Sequence, residues 1–492
     1  MRNTIPFQLP LRRELPNVYG SLDYREQVAV YRRIDQLLAR SGVETTLLNS
    51  VLKTRSGPIT DKLVNRMLHA LRSVILMRLS GLDFREFACR LADSTLYQWF
   101  TFCGEFGLCK PSSKSSLQRY VDWFNQKELS DAIHELIVQA SAQDAGVRLG
   151  DLNEALALDD VFADCTCVKA NIHFPTDWVL LVDAVKTLMQ SILLIRGKGL
   201  RHRMPDPEGF LNRANKLAIA MSASRRGQNA RRKRKQTLRA LKKLNKHVLS
   251  HAETYRKLLD KDWEQTDWTR KQAEQVLKRM DNVIEQLPAA MHQAHERIIG
   301  GRKVDNADKI LSLYEEDVHV IVRGKAGAEV EFGNKLYVAE QRDGIVVDWD
   351  LFKNGVPVDS KLVEESVERI KDCLGNYPES YVTDRGFASK RNTAYLQKKG
   401  IKDGMCARDP KELRERMKDQ WYKGAQKRRG STEGRIGVFK NVFLRKVMRE
   451  KGFENREQAL VWSVLAHNLW VLARMSLADE AEREEAAKNK AA

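Results

Sequence analysis

No acidic residue occurs between Gly209 and Ala252, a gap that ordinary helical surfaces, with their interleaved charges, do not have. The same stretch holds Arg225, Arg226, Arg231, Arg232, Lys233, Arg234, Lys235, Arg239, Lys242, Lys243 and Lys246, in a 492-residue chain of formal charge +19. Cations at that density without counter-charges set up a positive field for polyanions, and nucleic acid is the expected partner. The region also lacks the Trp- and Phe-rich apolar face of a membrane-surface helix, which argues against that use.

Long uninterrupted apolar runs are missing as well. The best candidate, "WVLLVDAVKTLMQSILLI", is broken by Asp183 and Lys186 and reads as an amphipathic helix against a core, so no membrane partner is expected. The seven cysteines are scattered, odd in number and not arranged as CxxC, and no secretory signal precedes them. A reduced, intracellular protein is therefore expected, with Cys165 and Cys167 as small packing residues. His247 and His251 fall one turn apart on a probable helix but lack a third ligand, and read as helix-surface residues.

The chain is too long for one ordinary core. Residues 1–59 read as an N-terminal arm and linker with a short helix around Tyr24 to Ala39. Residues 60–150 read as a helical domain for DNA binding or dimerisation, with a helix from Thr60 to Gly81 and others around "DFREFACRLAD" and "SSLQRYVDWFNQ". Lys110, Lys114 and Arg119 near a helix start are compatible with a helix-turn-helix reader. Ala155 to Asp164 carries a buried-strand pattern. "KLYVAEQR" and "IVVDWDLF", joined at Asp343-Gly344, predict a hairpin, and "DSKLVEESVERIKDCLG" a helix capped by Asp359 or Ser360. The order gives an α/β fold whose core, 151–196 and 311–477, is interrupted by a basic helical insertion at 197–310, with a charged tail at 478–492.

Three acidic residues lie where a strand is expected to end or a helix to begin: Asp164, Asp384 and Glu433. Neighbouring strands are about 5 Å apart, so such residues converge from distant parts of the chain. Converging carboxylates repel unless a hard cation neutralises them, which is the physical case for Mg²⁺ or Mn²⁺. Two such ions promote in-line displacement at phosphorus. Asp159 and Asp160 compete with Asp164 as the first ligand, and each carboxylate also has an ordinary use: a turn for Asp164 or Asp384, a helix start for Glu433. In "RRGSTEGRIGVFKN", Arg429, Glu433 and Lys440 share one face of a continuous helix, with Arg435 nearby, an arrangement suited to DNA phosphates. Gly430, Gly434 and Gly437 disfavour a helix and suggest close approach of another backbone, either DNA or a packed helix.

Together, "DCTCVKANIHFPTD", "YVTDRGFAS" and "RRGSTEGRIGVFK" resemble the three catalytic blocks of bacterial insertion-sequence transposases of the DDE type. "EVEFGNKLYVAE" and "GVPVDSKLVEES" are similar to that family too, so the likeness runs from about Asp151 to Leu472. It implies a ribonuclease-H-like mixed sheet flanked by helices, with Asp164, Asp384 and Glu433 as catalytic ligands of two Mg²⁺ or Mn²⁺ ions. Arg429, Glu433 and Lys440 fit the family's Tyr-x2-Arg-x3-Glu-x6-Lys signature, whereas Gln426 stands in the tyrosine's place. The resemblance further implies cleavage at transposon ends, joining of the 3′-hydroxyl to target DNA, terminal inverted repeats as partners, a homodimer or larger assembly, and a bacterial cytoplasmic, nucleoid-associated location. A structure-specific endonuclease or resolvase on the same fold, or a non-catalytic DNA-binding descendant, would share most of these features. His173 and Asp177 are expected either to orient the loop near Asp164 or to satisfy its backbone, the latter being preferred.

Overall fold

The structure, a computed structural model, describes residues 14–15, 20–105, 108–146, 148–224, 229–325 and 328–491. The chain begins with helices α1 (Leu22–Ser41) and α2 (Val43–Lys53), joined at Gly42, whose φ of 71° ends one helix and starts the next. Residues 22–53 thus differ from the expected arm. Ile34, Leu37, Leu38, Leu47 and Leu48 fall at helical spacing and are buried in the main core.

Helix α3 (Asp61–Ser80) starts as anticipated, with Thr60 Oγ1 accepting from the Leu63 N–H at 3.3 Å, and ends at Gly81 with φ 66°. Next come α4 (Phe84–Asp93), with an Asp83/Glu86 capping box, and α5 (Thr95–Thr101). After the two-residue strands β1 (Gly104–Glu105) and β2 (Leu108–Cys109) follow α6 (Lys114–Val121), capped by Ser113, and α7 (Gln126–Ala140).

The central strand is β3 (Asp160–Lys169). It starts and ends later than the sequence pattern suggests, and its extension past Asp164 follows the pairing of Cys165 through Lys169 with β5. After it come α8 (Asp177–Gly197), α9 (Pro207–Ala223), α10 (Ala230–Asp262) and α11 (Arg270–Ala294). These four helices enclose a hydrophobic cluster of their own, including Leu181, Leu188, Ile192, Leu241, Val248 and Leu287. The inserted unit therefore begins at Asp177, not near 197, since α8 packs against α9, α10 and α11. By length and composition α8 could cross a membrane, but its apolar residues are spent inside this unit.

The remaining strands are β4 (His319–Lys325), β5 (Ala328–Gln341), β6 (Val346–Leu351), β7 (Ser380–Thr383) and β8 (Lys402–Asp403). The mixed open sheet runs β4-β5-β3-β7-β8, and β6 shares the edge of β5 beside β4. Strand β5 is antiparallel to β3, and β7 is parallel to it. The predicted hairpin is β5–β6, with Gly344 at φ 101° in its turn. Helices α12 (Leu362–Leu374), α13 (Lys390–Lys398), α14 (Pro410–Arg416), α15 (Gln420–Val438) and α16 (Phe453–Ala491) complete the chain. The anticipated cap of α12 is absent: Asp359 lies in a 3-10 turn and pairs with Lys335 instead.

Helix α16 packs on α1, α3, α7 and β6. Its residues in the expected tail continue the helix; Arg33 of α1 reaches Ser476 Oγ at 2.5 Å and Glu480 Oε2 at 2.5 Å. One hydrophobic cluster runs through the N-terminal helices, the sheet and α16, so the segment expected as a separate helical domain shares its core with the α/β region.

Gly333, paired with Lys169 on one side and His319 on the other, has no room for a side chain. A Cβ there would lie 1.9 Å from the Val168 carbonyl oxygen. Gly333→Ala is expected to lower unfolding stability by about 1–3 kcal/mol, measured by urea denaturation, because two paired backbones must separate. An unchanged midpoint would mean that β3 and β5 are not in this register.

Candidate active site

Strand β3 pairs with β5 along nearly its whole length, but with β7 only as far as Ala163 opposite Thr383. Asp164 and Asp384 are the next residues, side by side where two parallel strands part. Clefts beyond the carboxyl ends of parallel strands are common ligand sites in α/β proteins. Asp164 is thus in mid-strand with respect to β5 and at a strand end with respect to β7. The Cys165 N–H donates to Asp164 Oδ1 at 2.7 Å, and the Gly386 N–H to Asp384 Oδ1 at 2.8 Å. The turn expected of Asp384 is therefore made by a carboxylate that also faces Asp164. A side chain at Gly386 would crowd it, with a Cβ 2.7 Å from Asp359 Oδ2 and 3.0 Å from Asp384 Oδ1.

Burial, followed by the negative charge of Asp384, pushes the Asp164 carboxyl up to about 6. Glu433 adds to the rise, while the Cys165 N–H and the Arg429 guanidinium oppose it. Glu433 is thus near enough to act on Asp164 through its charge, although it lies inside α15 and not at a helix start. Its side chain is 55% exposed, against 20% for Arg429, and the pair is 3.7 Å apart. Arg429 Nη1 is buried without a hydrogen-bond partner among the described residues.

Gln426 has a role that the sequence did not suggest. Its Nε2 donates to the carbonyls of Gly404 at 2.6 Å and Thr383 at 3.3 Å, and its Oε1 accepts from Arg429 Nε at 3.3 Å. One side chain thus ties α15 to the strand end that presents Asp384. Lys440 does not continue the regular helix: a π turn, Phe439–Phe443, follows α15. From it Lys440 Nζ donates to Thr166 Oγ1 at 2.9 Å, on the same face of β3 as Asp164. Thr166 was also missed, its only signal being the spacing of two from Asp164.

The glycines of α15 do not serve helix packing. A Cβ at Gly430, Gly434 or Gly437 would meet nothing within 4 Å, which leaves a low, open surface beside Glu433. Arg435 lies apart from the carboxylates, its Nη1 donating to the Arg342 carbonyl at 2.9 Å in the β5–β6 turn. Arg428 and Thr432 join it around the buried Glu340, docking α15 on the hairpin.

Other candidates fall elsewhere. Asp160 accepts from Ser380 Oγ at 2.6 Å, at the opposite end of β7 from Asp384, and Asp159 is exposed beside it. Neither reaches the carboxylate pair. Asp177 does neither of the things expected: it accepts from Gln293 Nε2 at 2.9 Å and Arg297 Nη1 at 2.7 Å, fastening α8 to the end of α11. His173 is exposed in the loop between β3 and α8. Cys167 is buried packing, while burial and Asp359 push the Cys165 thiol up. His251 packs edge-on to Phe210. On α10, Arg231, Arg232, Lys233 and Arg239 are exposed and Arg234 and Lys235 half-buried; Arg225 and Arg226 lie outside the described residues.

No protein-family model, curated protein or solved structure matches the chain. What the site can do follows from its own chemistry. Among the described residues no three His, Cys, Asp or Glu side chains are gathered closely enough to hold a metal ion. The donor chemistry nevertheless suits a hard divalent cation: Asp164 and Asp384 stand side by side where β3 and β7 part, and after burial the negative charges of Asp384 and Glu433 add to the rise of Asp164.

Proposed function

We propose that the chain is a metal-dependent DNA transposase of the DDE type, acting through Asp164, Asp384 and Glu433 on DNA phosphodiesters. The observation that carries this reading is the placement of Asp164 and Asp384 side by side at the parting of β3 and β7, with the charge of Glu433 acting on Asp164; each comes from a different one of the blocks that resemble the family. The strand arrangement supports a ribonuclease-H-like core: β6, β5 and β3 are successively antiparallel, and β7 and β8 follow in parallel on the far side.

Asp164, Asp384 and Glu433 would hold Mg²⁺ or Mn²⁺, which when bound would activate the attacking oxygen and stabilise the leaving one. Arg429, whose Nη1 lacks a hydrogen-bond partner, and Lys440 supply positive charge for a phosphate beside the carboxylates. Gln426 holds α15 against the Asp384 strand end, and the open glycine face leaves room for a DNA backbone. The exposed cations of α10 would grip flanking or target DNA through phosphates, without reading sequence. In this reading α4 and α6 would contact terminal inverted repeats, and two or more copies would bring two ends together.

The test is an assay of cleavage and strand transfer on duplexes carrying the element's flanking ends, with Mg²⁺, for the native chain and for Asp164→Asn, Asp384→Asn and Glu433→Gln. Loss of chemistry in all three with binding retained supports the site. Joined products point to a transposase, and cleavage alone to an endonuclease or resolvase. Unaltered cleavage in the variants would refute the assignment, and absence of any chemistry in the native chain would favour a DNA-binding descendant.

A further inference from the structure

A second charged cavity lies away from the carboxylates, between α3, α4 and α6 on one side and the segment from Arg445 to Asn455 on the other. Its volume is about 660 Å³, within the range of small-molecule sites. Six cationic side chains line it against three acidic ones, Asp83, Asp122 and Glu450.

The cavity wall includes an unusual arginine. Arg78 is 1% exposed, and only one of its terminal nitrogens is occupied, Nη2 donating to Glu450 Oε1 at 3.0 Å. Nε and Nη1 have no partner among the described residues, and Glu450 Oε2 is likewise unpaired. Arg445 stands close enough for the two guanidinium charges to oppose each other, and burial together with Arg78 lowers its pKa. Its backbone is at φ 64°, which residues other than glycine rarely adopt, and its Nη2 donates to the Leu82 carbonyl. Gly81, just before Leu82, is tight against the Val442 carbonyl, with a Cβ there only 3.0 Å away, so the two walls are held close.

The buried Arg78, the half-buried Arg445 and the exposed Arg449 have only Glu450 and Asp83 against them, which leaves three guanidinium groups facing two carboxylates. An anion with several strong acceptor oxygens would balance this excess, and arginine forks match phosphate oxygens well. Lys114, exposed at the start of α6, and Arg85 and Lys451 extend the positive lining toward solvent.

We propose that this cavity binds a phosphate group, presented either by a free phosphorylated small molecule or by a nucleic-acid backbone. Arg445 holds its oxygens beside the charge of the buried Arg78, and Lys114 guides entry. The proposal does not depend on the catalytic reading.

Calorimetric titration of the full chain with inorganic pyrophosphate in EDTA, and separately with a short DNA duplex, tests it. Arg445→Gln and Lys114→Gln are compared with the native chain, because Arg78 itself is buried enough for its replacement to unfold the protein. Pyrophosphate binding weakened about tenfold or more by Arg445→Gln, the effect of losing a charge-assisted hydrogen bond, identifies a site open to free phosphorylated ligands. Weakening of duplex binding alone identifies a backbone phosphate as the occupant. If neither titration changes in either variant, the proposal is overturned. Asp384→Asn is expected to leave the pyrophosphate titration unaltered, which separates this cavity from the carboxylate site.

Discussion

Under the proposed function, Asp164→Asn is expected to slow Mg²⁺-dependent DNA cleavage by roughly a thousandfold or more while making the metal-free protein more stable. The loss follows from removing one oxygen ligand where the ion would contribute several kcal/mol of charge stabilisation. The gain follows from the raised carboxyl. Asp164 titrates at about 6 in the folded chain, because of burial and then Asp384, against an ordinary value of 3.8. A carboxyl whose folded pKa is raised favours folding in its protonated form, so stability is greatest below about pH 4 and declines as pH rises through 6. Above that window the penalty is at most about 3 kcal/mol, and less if the site relaxes or admits water. Asparagine keeps an acceptor for the Cys165 N–H and carries no charge. Urea unfolding in EDTA at pH 8 should therefore favour Asp164→Asn by about 1–3 kcal/mol, with the difference vanishing near pH 4. Adding Mg²⁺ should stabilise the native chain and not the variant. A variant less stable than the native chain at pH 8 would mean that Asp164 is not opposed by neighbouring carboxylates.

Parts of the fold were legible because they depend on local chemistry. The Asp343-Gly344 turn needs a glycine at positive φ, and α3 needs its Thr60 cap and Gly81 stop; both leave a mark in a few consecutive residues. The acidic residues were recognisable from their blocks, but their geometry was not. Asp164 continues a strand because Thr166 and Val168 pair with β5, a long-range contact no local pattern encodes. Likewise α1 and α2 looked like an arm until α16 supplied a partner surface for α1, and α3 and α7 one for α2; α8 looked like part of the α/β layer until α10 and α11 enclosed it. Gln426 looked like a departure from a signature, since only the carbonyls of Thr383 and Gly404 give its amide a purpose. Arg445 adopts its positive φ without a glycine or asparagine to announce it.

Neutralising the outer face of α10 should have the second large effect, on DNA affinity. Leu238, Leu241, Leu244, Val248, Ala252 and Tyr255 recur at three- and four-residue intervals and turn inward. The same period turns Arg231, Arg232, Lys233 and Arg239 outward, where all four are exposed. Among the described residues the ion pairs of α10 begin only at Arg256, so these four charges hold nothing in the fold together. Replacing all four by glutamine should leave thermal unfolding nearly unchanged. Each phosphate that is no longer neutralised should make the slope of log affinity against log salt shallower by about 0.9, and four such phosphates should weaken duplex binding by roughly a hundredfold or more at low salt. Because cations that meet only phosphates carry no sequence information, specific and unrelated duplexes should lose affinity in parallel. A slope that stays the same would mean that α10 faces away from DNA and that its charge serves another polyanion, while a weakening confined to one sequence would mean that the helix reads bases.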